Sequence, residues 1–241
     1  MTLKGKTILI TGAARRLGRV FALSAAREGA HIIIHYNTSK TQAEQTADEV
    51  RLLGVNAWIL QCDLSHPESA TELFENACSI HPIDILINNA SIFEPIRVEN
   101  TSLTAWQEHM NTNLTAPFLL SRAFAEKIPA DGKGKIINIL DWRALRPGTD
   151  HFPYTISKAG LAALTRSTAI AFAPRITVNG LALGAILPPS TGSVSENFLK
   201  SIPAGRWADM DEVERTILFL LDAPDFITGE IIHLDGGRQL I

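Results

Sequence analysis

Residues 135–160, KIINILDWRALRPGTDHFPYTISKAG, hold a predicted strand and the reactive side chains around which the chain is organised. The apolar run over residues 136–140 predicts a buried strand of a parallel sheet, and Asp141 follows it directly. Ligands of such sheets bind beyond the carboxyl ends of the strands, so this acid is expected to face a ligand. Tyr154 and Lys158 share one face of a predicted helix, and the lysine is expected to lower the pKa of the phenol until it donates a proton at the working pH.

Both observations also have a purely structural explanation. Many helices carry a tyrosine and a lysine four residues apart, and an acid at a strand end can cap the loop that follows. Other features of the sequence are needed to tell whether these residues have a structural or a catalytic role.

Composition limits the class of protein. The chain has 241 residues, 46% hydrophobic and 20% charged, which predicts one large α/β domain over residues 1–241. A net charge of −3 does not indicate the excess of positive charge that is typical of nucleic-acid-binding proteins. No apolar run approaches the roughly 18 to 20 residues of a membrane span. Cys62 and Cys78 lack metal-ligand spacing, so they are predicted to be free thiols and no metal site is expected. We predict a cytoplasmic protein.

The order of the predicted elements indicates the fold class. Seven strands alternate with about six helices, which predicts a doubly wound α/β fold whose parallel sheet is covered by helices on both faces. The first strand, residues 7–11, leads through a turn from Gly12 to Gly18 into a helix. Such a turn lets the backbone approach a pyrophosphate, which the helix amino terminus stabilises. The alternative is an ordinary strand-to-helix turn, since Arg16 replaces the central glycine of the usual three.

The end of the second strand, residues 31–36, indicates which dinucleotide is bound. Proteins that bind NAD usually have an acid here, about 20 residues past the glycines, for the ribose hydroxyls. This chain has Asn37, Thr38 and Ser39 instead. Three hydrogen-bonding side chains, together with Arg15 in the glycine turn, suit a 2′-phosphate and predict NADPH. The same three residues could cap the next helix, and the two roles are compatible.

The ends of the third and fourth strands add candidates. Asp63, followed by Leu64, could bond an adenine amino group or cap the next helix. Asn89, Ala90 and Ser91 follow the fourth strand, opposite the first strand at the point where the strand order reverses. Small and amide side chains there allow the backbone to approach a cofactor closely.

Two further residues have alternative interpretations. Phe93 is either core, the usual place of a phenylalanine, or a platform for a flat ligand. Asn113, on an apolar face of a predicted helix over residues 103–127, is either a satisfied structural amide or part of a kink that holds a water beside Lys158. Residues 184–196 are rich in Pro, Ser, Thr and Gly, which predicts a loop that covers the substrate.

As a set, these motifs resemble the classical short-chain dehydrogenase/reductases nearly from end to end. The resemblance rests on Thr11-Gly12, Asn88-Asn89-Ala90, Asn113, the pair Tyr154 and Lys158, and the closing Asp235-Gly236-Gly237. It implies a Rossmann-type sheet, hydride transfer from nicotinamide and usually a homotetramer.

Departures from the family pattern are similar to the pteridine reductases. Asp141 stands where the family has a serine, 13 residues before the tyrosine, and Arg16 replaces the middle glycine. The segment after the fourth strand runs Asn-Asn-Ala-Ser-x-Phe, and His35-Tyr36 lies in the second strand. A further departure is that Leu183, rather than the family's usual proline, precedes the glycine after the sixth strand. The geometry of the nearby substrate-covering loop, and with it the substrate, therefore does not follow from the resemblance. For this chain the resemblance implies that Arg16, Ser91 and Phe93 contact the pterin, which would lie between Phe93 and the nicotinamide. It also implies that Asp141 and Tyr154 handle the proton and that Lys158 binds the nicotinamide ribose.

The carboxyl group at position 141 suits a pterin better than a ketone. A pterin presents an edge of donors that a carboxyl group accepts, whereas a carboxylate repels a ketone oxygen unless it is protonated. The predicted function is therefore NADPH-dependent reduction of a C=N bond in a dihydropterin or dihydrofolate. The alternatives are a short-chain carbonyl or 3-oxoacyl reductase and a non-catalytic NADPH-binding protein.

The predicted site has three overlapping parts. The catalytic residues are Asp141, Tyr154, Lys158 and Asn113, and the substrate-binding residues are Arg16, Ser91, Phe93, Asp141 and Tyr154. The cofactor-binding residues are Gly12, Arg15, Arg16, Leu17, Gly18, His35, Tyr36, Asn37, Thr38, Ser39, Asp63, Leu64, Asn89, Ala90, Ser91, Tyr154, Lys158 and Gly184.

Overall fold

A computed structural model describes residues 3–187 and 198–241 of the chain. Within these ranges, none of the helices combines the length and the apolar character needed to cross a bilayer. The strands are β1 (Thr7–Ile10), β2 (His31–Tyr36), β3 (Ala57–Gln61), β4 (Ile85–Asn88), β5 (Gly134–Asp141), β6 (Ile176–Leu183) and β7 (Ile231–Leu234). The α-helices are α1 (Arg16–Arg27), α2 (Lys40–Leu52), α3 (Pro67–Ile80), α4 (Leu103–Met110), α5 (Ala116–Lys127), α6 (Phe152–Phe172) and α7 (Met210–Asp222).

The seven strands form one parallel sheet in the order β3-β2-β1-β4-β5-β6-β7. The chain builds outward from β1 to β3 on one side and then continues from β4 on the other. The crevice at this reversal, between the carboxyl ends of β1 and β4, is where such sheets hold dinucleotides. The predicted Rossmann-type α/β fold is confirmed.

Branched apolar side chains explain why these segments are strands. Ile8 and Ile10 of β1 are fully buried in one core cluster, while Leu9 between them belongs to the cluster on the opposite face. Each buried side chain of this size contributes roughly 1.5–3 kcal/mol. Continuous apolar runs therefore place these strands in the middle of a sheet covered on both faces.

The predicted helix over residues 103–127 is interrupted. Helices α4 and α5 are joined by a π-helical turn, Asn111–Thr115. Pro117 has no backbone N–H, so it cannot give the Asn113 carbonyl the hydrogen bond that an α-helix would supply. The interruption therefore has a cause that is visible in the sequence.

Most of the predicted substrate-covering loop lies outside the described residues, since the structure describes only Gly184 to Leu187 of it. The strand before it, β6, extends to Leu183, which pairs with Asp141 and Leu234 in the sheet. The sheet therefore reaches the edge of the crevice without the proline that the family has at position 183.

Candidate active site

A cavity of about 1020 Å³ opens at the carboxyl ends of the strands. Every predicted cofactor-binding and substrate-binding residue lines it, and of the predicted catalytic residues only Asn113 lies behind its wall. The structure thus brings together residues from the glycine turn to the carboxyl-terminal segment.

The glycine turn is held against the end of β4. Gly12 has a φ of +64°, and a Cβ there would lie 3.0 Å from the Ala90 Cα. A Cβ on Gly18 would overlap the Gly12 carbonyl oxygen. Arg16 keeps the left-handed conformation of the missing central glycine, with a φ of 53°, which costs roughly 1–2 kcal/mol for a residue with a side chain. The turn therefore has its usual path and carries an exposed guanidinium group.

Side chains from β1 and β4 fix the same turn. The Asn89 amide nitrogen donates to the carbonyl oxygens of Thr11 and Gly12, at 2.8 and 3.1 Å. The Thr11 hydroxyl accepts from the backbone N–H groups of Asn89 and Ala90, both at 2.9 Å. Asn89 therefore positions the backbone of the glycine turn.

His35 supports the turn from below. Its Nδ1 accepts from the Gly12 N–H at 3.0 Å, so Nε2 carries the proton and donates to the Cys62 carbonyl oxygen at 3.0 Å. Burial lowers the pKa of His35 to about 4, although the Cys62 hydrogen bond and the Asp63 charge partly oppose this. The imidazole is a neutral structural link between β2 and the glycine turn.

The amino terminus of α1 fits a pyrophosphate. Its N-cap residue, Arg15, makes no side-chain capping bond among the described residues, and the first turn has no acid. The first N–H groups of α1 thus stay available for an anion at the positive end of the helix dipole.

The residues predicted to bind a 2′-phosphate line the same cavity. Ser39 is the N-cap of α2, but within the described ranges its side chain makes no capping bond, so the cap alternative is not realised through that hydroxyl. Asn37, Thr38, Ser39 and Arg15 all line the cavity, and the first turn of α2 has no acid. This donor set suits a phosphate better than a ribose hydroxyl pair.

Asp63 does not cap the next helix. The N-cap of α3 is His66, and the Asp63 carboxylate accepts instead from the Ser65 N–H at 3.0 Å. That hydrogen bond lowers the pKa of Asp63, so the carboxylate at the cavity wall is ionised.

The predicted catalytic residues Asp141, Tyr154 and Lys158 lie together in the cavity. The Tyr154 hydroxyl donates to Asp141 Oδ2 at 3.0 Å, while Asp141 Oδ1 accepts from the Arg143 N–H at 2.8 Å. The carboxyl group therefore caps the loop with one oxygen and binds the phenol with the other. Lys158 Nζ donates to the Ile139 carbonyl oxygen at 2.7 Å and lies 5.7 Å from the Tyr154 ring centroid.

The prediction that Lys158 lowers the pKa of Tyr154 is wrong for this structure. Burial and then the charge and hydrogen bond of Asp141 raise the pKa of the phenol well above its ordinary value. Burial also raises the pKa of Asp141, against the opposing Arg143 contacts, and it lowers the pKa of Lys158 to about 8. Burial, followed by the Asp141 carboxyl group, therefore keeps the phenol protonated.

The Asn113 side chain is fully used inside the protein. Its amide nitrogen donates to the Ile92 carbonyl oxygen and the Ser157 hydroxyl, both at 3.0 Å. Its oxygen accepts from the Ile92 N–H at 2.8 Å and from the Ser91 hydroxyl at 3.2 Å. The side chain is a satisfied structural amide, while the π-helical turn provides the backbone kink on which the water-holding alternative depends.

Phe93 lies at the mouth of the cavity rather than in the core. It is 52% exposed, and its ring contacts the edge of Tyr154 at a centroid distance of 4.6 Å. The His151 ring stacks on it at 4.0 Å, and Asp150 accepts hydrogen bonds from Arg143 and His151, both at 2.9 Å. Sequence reasoning missed these three neighbours, although all of them lie between Asp141 and Tyr154.

A family model described as enoyl-(acyl carrier protein) reductase matches residues 12–239. The chain belongs to the classical short-chain dehydrogenase/reductases. It is 37% identical to 2-dehydro-3-deoxy-D-gluconate 5-dehydrogenase of Bacillus subtilis, over 98% of this chain and 95% of that protein. It is 35% identical to 3-oxoacyl-(acyl-carrier-protein) reductase FabG of Aquifex aeolicus, over 98% of each.

A solved structure of FolM alternative dihydrofolate reductase 1 from Brucella canis complexed with NADP is also similar. The TM-score is 0.91 and the identity 33%, over 100% of this chain and 97% of that chain. Together these relatives identify an NAD(P)-dependent oxidoreductase of this family.

The raised pKa of Tyr154 is directly measurable, because the sequence contains only two tyrosines. In the variant Tyr36→Phe, ultraviolet absorbance should show the remaining phenol deprotonating well above its ordinary pKa. Adding Asp141→Asn removes the negative charge and should lower that pKa by about one unit or more.

The matched control adds Asp131→Asn, an exposed aspartate in the loop before β5, and should leave the titration unchanged. Circular dichroism at each pH restricts the comparison to folded protein. A Tyr154 pKa below that of free tyrosine would contradict our assignment and restore the lysine as the controlling group.

Proposed function

We propose that this protein is an NADPH-dependent reductase of pterins, acting on a C=N bond of a dihydropterin or dihydrofolate. The observation that carries the proposal is the 3.0 Å hydrogen bond from the Tyr154 hydroxyl to Asp141, where the family has a serine. It lies in a cavity whose mouth holds the half-exposed ring of Phe93. A carboxyl group beside a phenol and an aromatic platform suit a flat, donor-rich heterocycle.

The chain's residues divide the proton chemistry between them. NADPH, when bound, supplies the hydride that reduces the substrate carbon. Tyr154 gives its proton to the adjacent ring nitrogen, and the proton is replaced through Asp141. Burial raises the pKa of Asp141, which favours the protonated carboxyl group that this step needs. Lys158 is anchored on the Ile139 carbonyl oxygen at the cavity wall, where its remaining N–H donors would hold the nicotinamide ribose.

Substrate binding would use the rim of the cavity. Phe93 would present to the substrate the exposed part of its ring that the stacked His151 leaves uncovered. Asp141 can accept from the aminopyrimidine edge of a pterin. Arg16 and Ser91 line the same cavity, and Ser91 is held by Asn113. The similarity to the alternative dihydrofolate reductase FolM supports this substrate class.

A second candidate is a carbonyl or 3-oxoacyl reductase. The 35–37% identity to a gluconate dehydrogenase and to FabG favours it. Against it stands the carboxyl group at position 141, which would repel a ketone oxygen unless it were protonated. NADPH oxidation by any added substrate would dismiss the remaining alternative, a non-catalytic NADPH-binding protein.

We also propose a homotetramer. Exposed apolar side chains on three helices support a buried interface, namely Leu103 of α4, Phe118 of α5, and Ile156 and Ile170 of α6. Light scattering should give the mass of four chains, and the mass of a single chain would contradict this. The cytoplasmic location stays a prediction.

Replacing Asp141 tests the assigned chemistry. We expect Asp141→Ser to lower kcat for dihydrobiopterin roughly a hundredfold, because the carboxyl group that accepts from the substrate and replaces the phenol's proton is lost. The dissociation constant of NADPH should stay within about twofold, since Asp141 is not in the predicted dinucleotide contact set. NADPH absorbance and fluorescence measure the two quantities.

The exposed Asp131→Ser is the matched control and should behave as the unchanged protein. An unchanged dihydropterin rate in Asp141→Ser would remove the proposed role of the carboxyl group. If the unchanged protein turned over a panel of ketones but no dihydropterin, the carbonyl reductase alternative would replace the proposal.

Replacing Arg15 tests the cofactor assignment. Arg15→Ala should weaken NADPH binding about tenfold by removing a charge-assisted hydrogen bond to the 2′-phosphate, while leaving NADH binding unchanged. Arg27→Ala, at the other end of α1, is the matched control. Fluorescence titration of both dinucleotides provides the measurement, and equal affinity of the unchanged protein for NADH and NADPH would contradict the phosphate pocket.

A further inference from the structure

A row of stacked planar groups leads away from the proposed pterin platform. The Arg143 guanidinium carbon lies 5.8 Å from the Phe93 ring centroid and 4.8 Å from that of Trp142. Arg238 continues the row, with its guanidinium carbon 4.3 Å from the Trp142 centroid and 4.6 Å from the Phe198 centroid. All five side chains line the same cavity, so the row forms one continuous wall from the reactive centre to the rim.

The carboxyl-terminal segment holds Arg238 at a fixed place in this wall. The buried Asp235 carboxylate accepts from the N–H groups of Gly237 and Gln239, both at 2.9 Å. These bonds start the short helix Arg238–Leu240 directly after β7. A Cβ on Gly184 would lie 2.6 Å from the Asp235 Cα, so the segment packs tightly on the end of β6. Arg238 is therefore preorganised and not a free surface arginine.

The charges of Asp141, Asp150 and Asp235 act on Arg238 from a distance, without direct ion pairs to it. Within residues 3–187 and 198–241 it forms no ion pair, because Asp150 binds Arg143 and His151 while Asp235 binds backbone N–H groups. Burial and the nearby Arg143 charge lower the pKa of Arg238, as expected for a partly desolvated cation beside another. Ring contacts engage the faces of a guanidinium group and leave its in-plane N–H donors available to an acceptor.

We propose that Arg238, with Trp142 and Phe198, is a subsite for an aryl group that carries a carboxylate, extending from the pterin ring. The benzoyl-glutamate arm of a dihydrofolate has this chemistry, whereas the side chain of dihydrobiopterin is short and uncharged. This inference rests on the proposed function and narrows its substrate class to conjugated pterins. A planar fork binds a carboxylate through two parallel hydrogen bonds. The aryl ring would pack against the edges of Trp142 and Phe198, since guanidinium groups already lie over the faces of these rings.

The location of the subsite fits such an arm. Three steps of 5.8, 4.8 and 4.3 Å separate the Phe93 ring from the Arg238 guanidinium group. A pterin stacked on Phe93 and bonded to Asp141 would leave its substituent free to follow this wall outward. A pterin without the arm would leave Arg238 unused.

The test compares dihydrofolate with dihydrobiopterin in steady-state kinetics with NADPH. Arg238→Gln should raise KM for dihydrofolate about tenfold, the loss expected for one charge-assisted pair, with kcat and the KM for dihydrobiopterin within about twofold. Arg238→Lys should recover only part of the loss, because a lysine keeps the charge without the planar fork. Arg215→Gln on the exposed surface of α7 is the matched control.

A binding measurement separates this inference from the proposed function. Calorimetric titration of the protein with N-(4-aminobenzoyl)-L-glutamate in the presence of NADP should show binding that Arg238→Gln abolishes. If dihydrobiopterin is reduced but Arg238→Gln changes neither KM nor this binding, the subsite is overturned and the proposed function stands. If no pterin oxidises NADPH, the proposed function fails, and binding that depends on Arg238 would still support an aryl-carboxylate subsite.

Discussion

The buried hydrogen bond between the Tyr154 hydroxyl and the Asp141 carboxylate is the interaction on which the whole site depends. One strand and one helix build it, since Asp141 ends β5 and Tyr154 lies in the first turn of α6. The same strand also anchors Lys158 through the Ile139 carbonyl oxygen. Tyr154 is buried and the Asp141 side chain is only 15% exposed, so each side chain holds the other in position.

Much of the fold follows from patterns that are local in the sequence. Apolar runs bounded by glycine or polar residues predict the seven strands, and their alternation with helices predicts a parallel sheet. The helix over residues 103–127 is where this reasoning failed, because apolar periodicity continues through a segment whose hydrogen bonding changes. Pro117 carried the missing information, since a residue without an N–H cannot continue the α-helical ladder.

The candidate site was predictable as far as it depends on strand ends. Side chains that follow parallel strands must converge at one edge, so Asn37, Asp63, Asn89 and Asp141 could be placed together from the sequence. The contacts of Arg143, His151 and Arg238 depend on how a loop and the chain terminus fold over the crevice, and no local pattern encodes that. The pKa of Tyr154 could not be inferred from its spacing to a lysine, because burial and a carboxylate outweigh a cation that bonds elsewhere.

The buried imidazole of His35 makes the stability of the dinucleotide crevice depend on pH. Above a pH of about 6.5 the ring is neutral whether the chain is folded or not. The hydrogen bond from the Gly12 N–H then forms without any free-energy cost of deprotonating the ring. Between that pH and about 4, the His35 imidazole binds a proton in the unfolded chain but stays neutral in the folded chain. Up to about 3 kcal/mol of folding free energy is therefore lost as the pH falls. Acid would therefore destabilise the glycine turn that His35 supports, as well as protonate the carboxyl groups that line the crevice.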